Sequence, residues 1–235
     1  IKIQSNSNLQ SIGEYGFSNL NIERFTIAKN IEKIGKYAFF QCENLKEVKI
    51  EEGSKLKSFP VSLFNECEKL TSIQISEDSK IEVIEEESLN FCQINYLFIP
   101  ASVKMIKENW NIYLDSIEKI EISPKNKYFK FADDDNQIIV GKSGNEDYDT
   151  LIYSNYLIEN VKIPNYVKYI NSYSFQNRSN LRIIEISDDS ELRSIGAESF
   201  YDSSIESIYI PEKLEELQDG WCNKTKKLKT VILSK

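Results

Sequence analysis

Residues Ile31–Ile50, IEKIGKYAFFQCENLKEVKI, contain the unit from which this chain is built. The unit has an Ile-Gly pair, an aromatic segment, a cysteine and an apolar alternating tail: Ile34-Gly35, Tyr37-Ala38-Phe39, Cys42, Leu45, Val48 and Ile50. The apolar residue that ends each copy recurs along the whole sequence: Ile3, Ile27, Ile50, Ile75, Ile99, Ile122, Ile163, Ile186, Ile210 and Leu233. Eight of the nine intervals are 23 to 25 residues and one is 41. Such a fixed period predicts a repeat solenoid.

The alternating tails predict strands with one face turned inward. A single strand of this kind is not stable alone, but stacked copies pair and bury a continuous core. The aromatic segments then predict a short helix or 3₁₀ turn on the opposite side of one parallel sheet. Four large side chains are expected to fill the core between the two sides: Phe39, Phe64, Phe175 and Phe200.

The order of Ile-Gly, aromatic segment, Cys and apolar strand resembles the BspA-type leucine-rich repeat, found in surface proteins of anaerobic bacteria and parasitic protists. The resemblance covers the chain except roughly residues 124–157. It implies a non-enzymatic binding protein, and it raises the expectation of a β-hairpin between repeats. Two copies depart from the pattern, at Phe59-Pro60 and at Trp110, which predicts bent or loosely packed rungs there.

The regular period favours one elongated domain over residues 1–235, with about nine to ten rungs and partial repeats at both ends. The long interval contains two β-prone runs, Gln137–Val140 and Thr150–Tyr153, around a polar connection. This pattern predicts a β-hairpin insertion at 124–157 that projects from or caps the solenoid. As an insertion, it is expected to be dispensable for the rungs on either side.

Net charge is −8 and the isoelectric point is near 4.9, which argues against nucleic acid or an anionic membrane surface as partner. No apolar run is long enough for a spanning helix, and no signal-peptide pattern opens the sequence. The sequence begins with Ile1, and Ile1–Ile3 has the pattern of a strand end. We therefore expect a segment of a longer or processed protein.

The sequence has no histidine, which removes Ser-His-Asp triads, Cys-His pairs and His-based metal sites. Paired carboxylates occur at Glu85–Glu87 and Asp188–Asp189, in connections where solvated charge is expected. The hairpin region carries an acidic group that could bind Ca²⁺, namely Asp133–Asn136, Glu146, Asp147 and Asp149. Its spacing is not that of an EF-hand, so a solvated acidic turn is favoured. We predict no enzyme activity, no cofactor and no metal.

Three cysteines, Cys42, Cys67 and Cys92, recur at intervals of 25 residues and are predicted to form a column of buried free thiols. Stacked side chains run parallel, so their sulfur atoms should not point toward each other. Two glycosylation sequons, at Asn177 and Asn223, favour a secreted origin weakly.

Outward strand positions are the candidate binding surface, since exposed aromatic residues on a sheet often mark a binding patch. Tyr96 with Phe98 is one candidate, and Ile183, Tyr209 and Ile232 form a second, more diffuse one. Two alternatives stay open: the hairpin covers Tyr96 and Phe98, or these scattered apolar residues have no role.

The pattern favours a binding or adhesion scaffold in a cell-surface or secreted protein, with host or matrix proteins as partners. One alternative is a cytoplasmic scaffold for protein interactions. Another is a glycan-binding module that uses Tyr96, Phe98 and Tyr209 as stacking platforms. Neither nucleic acid nor direct membrane insertion is expected.

Overall fold

The computed structural model describes residues 7–144 and 147–234, which form two compact units divided between Lys127 and Tyr128. The strand end predicted at Ile1–Ile3 lies outside the described residues, as does Glu146. Each unit is a stack of rungs, one rung being one repeat of the sequence. Each unit therefore has the leucine-rich-repeat solenoid fold that the period of the sequence predicts.

The first unit contains ten strands: β1 (Ser11–Ile12), β2 (Arg24–Ile27), β3 (Lys33–Ile34), β4 (Glu47–Ile50), β5 (Ser58–Phe59), β6 (Ser72–Gln74), β7 (Val83–Ile84), β8 (Tyr96–Ile99), β9 (Met105–Ile106) and β10 (Lys119–Ile122). The longer strands form a parallel five-stranded sheet in the order β10-β8-β6-β4-β2. The two-residue strands form separate parallel sheets, β1-β3 and β5-β7-β9.

The second unit contains β11 (Phe129–Phe131), β12 (Ile138–Gly141), β13 (Thr150–Ser154), β14 (Asn160–Lys162), β15 (Tyr169–Ile170), β16 (Ile183–Glu185), β17 (Ser194–Ile195), β18 (Ser207–Ile210), β19 (Glu216–Leu217) and β20 (Thr230–Leu233). Four strands form the parallel sheet β14-β16-β18-β20, and six form the mixed sheet β11-β12-β13-β15-β17-β19.

The register of the long strands follows the repeat. Val48 pairs with Phe25 on one side and with Ile73 on the other, so equivalent residues stack. All three inward side chains are buried, whereas Lys49, next to Val48, is exposed. The alternation in the sequence therefore selects the buried face, as predicted.

The second ladder of short strands was not expected, since the sequence predicted one parallel sheet. Its strands lie at the position of the Ile-Gly pair, and where that pair has its glycine the neighbouring rung approaches closely. A Cβ atom on Gly35 would lie 2.4 Å from the Glu14 amide nitrogen, and one on Gly196 would lie 2.3 Å from that of Ser172. The bond from the Gly35 N–H to the Ile12 carbonyl (2.9 Å) joins the rungs at this contact.

We predict that Gly35→Ala destabilises the first unit by about 1–3 kcal/mol, because the added methyl group overlaps backbone atoms of the preceding rung. Gly13→Ala is the matched control, since Gly13 has the same place in its repeat but no heavy atom within 4 Å of an added Cβ. Urea unfolding followed by circular dichroism measures both. Equal stability of the two variants would contradict the close contact.

The aromatic segments form hydrogen-bonded turns rather than the predicted short helices, and the described residues contain no helix. Along one turn, alternate N–H groups donate to the next rung: Tyr37 to Val61 (3.1 Å), Phe39 to Leu63 (3.1 Å) and Gln41 to Asn65 (3.0 Å). The N–H groups between them donate within the turn, from Phe40 to Tyr37 (3.1 Å) and from Cys42 to Phe39 (3.2 Å).

This alternation requires a positive φ at two residues of each turn, 58° at Tyr37 and 56° at Gln41. The same pair, four residues apart, recurs in the other rungs: Tyr15 and Asn19, Ser62 and Glu66, Glu87 and Phe91, Asn109 and Tyr113, Tyr173 and Asn177, Glu198 and Asp202, Gly220 and Lys224. A helix would direct every N–H into its own segment. Bonding between rungs therefore replaces helical bonding.

The predicted aromatic core is confirmed. Phe39, Phe64, Phe175 and Phe200 are fully buried, with ring centroids 5.5 Å apart for the first pair and 5.0 Å for the second. The two substituted copies are not loosely packed at their aromatic residues, because Phe59 and Trp110 are also buried.

The predicted hairpin is present but does not project. Its strands β12 and β13 are antiparallel, and Thr150–Leu151 of β13 pairs in parallel with Tyr169–Ile170. Ile138, Val140 and Leu151 are buried in the core cluster of the second unit. A further strand, β11, pairs with β12. These contacts argue against the expectation that the hairpin is dispensable, because it supplies apolar side chains and a sheet partner to the first rung behind it.

We predict that replacing residues 129–156 by a Gly/Ser linker abolishes cooperative unfolding of the second unit, because Ile170 loses its covering side chains. A smaller change, Leu151→Ala, should cost about 2–5 kcal/mol. Leu157→Ala is the control, as Leu157 is 63% exposed. Thermal unfolding measures all three variants. A cooperative transition in the linker variant would mean that the hairpin is an appendage.

The three repeating cysteines form the predicted column of thiols. Each thiol donates to a carbonyl of the preceding rung: Cys42 to Phe17 (3.0 Å), Cys67 to Phe39 (3.0 Å) and Cys92 to Phe64 (3.2 Å). In the second unit, other donors take this place. Arg178 donates to the Ser154 carbonyl, and the Thr225 hydroxyl donates to that of Phe200 (2.8 Å). In these rungs the side chain at this position serves as a hydrogen-bond donor rather than a reactive sulfur, although Leu114 fills the same place in the Trp110 rung without donating.

We predict that the three column thiols resist alkylation in the native protein, because Cys92 is fully buried and burial raises the pKa of its thiol. Cys222, which is half-buried, should be the thiol that reacts first. Mass spectrometry after native and denaturing, non-reducing alkylation should give one and four modified thiols, respectively. In Cys222→Ser these numbers should fall to zero and three. Recovery of only two thiols in the denatured wild-type chain would indicate a disulfide.

Candidate binding surface

The outward side of β8 carries Tyr96 and Phe98, the first predicted candidate. Tyr96 is 38% exposed and Phe98 is half-buried, while Leu97 and Ile99 between and after them are fully buried. The buried pair fixes the strand, and the aromatic pair therefore faces outward from a rigid element. Phe98 pairs in register with Glu121 of β10, and Tyr96 with Lys119.

Tyr96 is held in place by charged groups of the neighbouring strand. Its hydroxyl is 3.2 Å from Glu121 Oε2, and the Lys119 ammonium lies 5.8 Å from its ring centroid. Burial raises the pKa of Tyr96, and the Glu121 carboxylate adds to this effect, so the phenol stays protonated at neutral pH. An aromatic side chain fixed in this way loses little conformational entropy when it binds a partner.

The residues of the second candidate lie in two different cross-strand rows of side chains on the β14-β16-β18-β20 sheet. Tyr209 and Ile232 are direct neighbours in register, whereas Ile183 stacks on Ser207 and then Thr230. Ile183 and Ile232 are about half exposed, and Tyr209 is half-buried. Tyr209 and Ile232 are therefore brought together, and Ile183 lies in the neighbouring row with Ser207 and Thr230. The two candidates also lie in different compact units.

Sequence reasoning missed two pairs of aromatic rings on the turns of the first unit. Tyr15 stacks on Tyr37 with ring centroids 4.9 Å apart, and Phe91 stacks on Tyr113 at 4.6 Å. All four residues have a positive φ, near 55–60°. The repeat alone could have located them, because each pair occupies equivalent positions in adjacent copies.

Two carboxylates of the acidic group, those of Asp133 and Asp149, are engaged by the hairpin itself. The Asp133 carboxylate accepts hydrogen bonds from the Gln137 and Ile138 amides, and that of buried Asp149 accepts from Ser143 and Thr150. Across residues 7–144 and 147–234, no cluster of three or more acidic, Cys or His side chains is arranged to hold a metal ion. Asp133 and Asp149 therefore close turns of the hairpin, and Asp149 does so as a buried rather than a solvated carboxylate.

The other paired carboxylates also have local partners. Asp189 accepts from Ser187 and from Asn165, and these hydrogen bonds lower the pKa of its carboxyl. Glu87 accepts from Ser62 (2.7 Å) on the adjacent turn. In the part of the chain that the structure describes, no helix is long and apolar enough to cross a membrane.

Solved structures of bacterial leucine-rich repeat proteins share this fold. The pneumococcal vaccine antigen PcpA is 20% identical with a TM-score of 0.68, and the match covers 99% of this chain and 71% of that one. A leucine rich cell surface protein of Faecalibacterium prausnitzii is 17% identical, with a TM-score of 0.56 and coverage of 100% and 87%. A leucine-rich repeat protein of Eubacterium ventriosum is 20% identical, with a TM-score of 0.69 and coverage of 90% and 60%.

A search of curated proteins gives no match. The family model described as BspA type leucine rich repeat region matches six copies, over residues 1–130 and 147–235. These ranges contain the stacked rungs of both units and omit only the middle of the hairpin. The chain therefore belongs to the BspA-type leucine-rich repeat family.

Proposed function

We propose that this chain is a non-enzymatic scaffold that binds other proteins, and that it belongs to a cell-surface or secreted protein whose partners are host or matrix proteins. Membership in a repeat family that serves as a scaffold supports binding as its role. One relative of the same fold is named a cell surface protein and another a vaccine antigen, which supports an external location.

The observation that carries the proposal is the outward aromatic pair of β8. Tyr96 and Phe98 project from a strand fixed by fully buried Leu97 and Ile99, and Tyr96 is oriented by Lys119 and Glu121. Aromatic side chains on a rigid surface, surrounded by charged groups, are typical of the energetically dominant residues of protein interfaces. Ile183, Tyr209 and Ile232 are a second proposed contact area, on the long-strand sheet of the other unit.

We predict that changing both Tyr96 and Phe98 to Ser weakens binding to a protein partner by about tenfold or more. The measurement is surface plasmon resonance against a panel of extracellular-matrix proteins. Tyr15→Ser is the matched control, since it removes an exposed tyrosine from a turn rather than from a strand. An equal loss in both variants, or none in either, would remove β8 from the proposed interface.

Two other functions, a glycan-binding module and a cytoplasmic scaffold, predict different experimental results. A glycan array on which wild-type protein binds, and the Tyr96 and Phe98 variant does not, would favour the glycan-binding module. Protease treatment of intact source cells tests the location, because a surface protein is degraded and a cytoplasmic scaffold is protected.

A further inference from the structure

The exposed pair Phe91 and Tyr113 lies on the turns of the first unit. Both side chains are about 40% exposed, and their rings stack with centroids 4.6 Å apart at an angle of 19°. They occupy equivalent places in adjacent rungs, each at the second positive-φ residue of its turn. Bulky residues rarely adopt this conformation, so the rings are held outward by the backbone.

The same turns carry an excess of negative charge. Glu87 precedes Phe91 by four residues, and Glu66 occupies the place of Phe91 in the preceding rung. Glu86 and Glu108 are exposed on the same two turns as the rings. Among residues 7–144 and 147–234, none of these four carboxylates forms an ion pair, whereas other acidic residues of this unit pair with Lys or Arg: Glu23, Glu32, Glu47, Glu82 and Glu121.

Hydrogen-bond acceptors without a donor lie beside these carboxylates. Asn65 and Asn90 are 9% and 4% exposed, and neither Oδ1 atom has a donor within the described part of the chain. The Asn65 amide nitrogen lies 3.5 Å from Glu87 Oε2, which places this side chain at the carboxylate. Asn109, whose amide nitrogen is 3.5 Å from Glu87 Oε1, also has an Oδ1 atom without a donor. These three Oδ1 atoms are buried, so the negative character of the surface that a partner can reach comes from the carboxylates.

Exposed aromatic faces beside carboxylates that form no ion pair favour one chemical class, a cation with several N–H donors. Arginine fits best, because its planar guanidinium stacks on an aromatic ring while its N–H groups bind carboxylates. We infer that Phe91, Tyr113, Glu66, Glu86, Glu87 and Glu108, together called the acidic aromatic patch, bind an arginine-rich segment of a partner protein. This patch is distinct from the strand surface proposed above, and its function does not depend on Tyr96 or Phe98.

The protein contains an internal comparison for this patch. Tyr15 and Tyr37 stack in the same way on the first two turns, with centroids 4.9 Å apart and rings nearly parallel at 5°. The positions that correspond to Glu86 and Glu108 are Glu14 and Lys36, whose charges cancel. The two stacks thus differ in the charge around them and in their place on the turn, because Tyr15 and Tyr37 are the first positive-φ residues of their turns and Phe91 and Tyr113 the second.

The test is titration of the protein with a fluorescent Arg-Gly repeat peptide of eight residues, and with the Lys-Gly and Glu-Gly versions, followed by anisotropy. We expect the Arg peptide to bind, the Glu peptide not to bind, and higher salt to weaken the complex. Phe91→Ser with Tyr113→Ser, and separately Glu86→Gln with Glu108→Gln, should each weaken Arg-peptide binding about tenfold. Tyr15→Ser and the Tyr96 and Phe98 double variant should bind as wild type.

The Glu86 and Glu108 variant changes exposed side chains, so it tests the patch even if removal of the rings disturbs the fold. Thermal unfolding of each variant serves as the check. Equal binding of the Arg and Lys peptides would overturn the role of the rings, and equal losses in the Phe91 and Tyr15 variants would overturn the location. Ca²⁺ alone binding at the patch and displacing the Arg peptide would assign the acceptors to a metal ion and overturn the inference.

Discussion

The hydrogen bonds between turns of adjacent rungs are the interaction on which the rest of the structure depends. In six of the described turns, three alternate N–H groups donate to the next rung, as Tyr37, Phe39 and Gln41 do. Two residues per turn adopt a left-handed conformation, at a cost of about 1–2 kcal/mol each. The bonds offset this cost with about 0.5–1.5 kcal/mol each, and they also satisfy groups that would be expensive to bury unpaired. A single rung cannot do this, so stability comes from stacking.

The position of Cys42 shows how one structural requirement can be met by different side chains. A thiol, a guanidinium and a hydroxyl each donate there to a carbonyl of the preceding rung, in Cys42, Arg178 and Thr225. Burial raises the thiol pKa of Cys92, which suits a hydrogen-bond donor and opposes a thiolate role. Cysteine is therefore one of several side chains that this turn accepts, and its role in the stack is that of a buried hydrogen-bond donor.

Because the inward residues and the backbone secure the rungs, the outward residues can differ from one rung to the next. Many of them form ion pairs between rungs, such as Arg24 with Glu47 and Lys55 with Glu32, which are exposed and so contribute little to stability. Some outward residues do not form such ion pairs. Outward aromatic residues on β8, and rings beside unpaired carboxylates on the turns of Phe91 and Tyr113, are not required by the stack and are the surfaces proposed to bind partners.

The sequence by itself determined the rung, its period, its inward apolar residues and the column of thiols, because each of these follows from side-chain patterns that repeat. It also located the hairpin strands and the outward position of Tyr96. The tertiary structure decided the features that depend on backbone hydrogen bonds and on contacts between repeats, which sequence patterns do not show. Backbone N–H groups that donate between rungs made turns instead of helices, and pairing of the short strands of adjacent rungs made a second ladder. Pairing of Leu151 with Ile170 placed the hairpin in the core, and stacking of equivalent positions brought Phe91 onto Tyr113. These contacts join residues of different repeats, and their geometry is set only when the rungs stack.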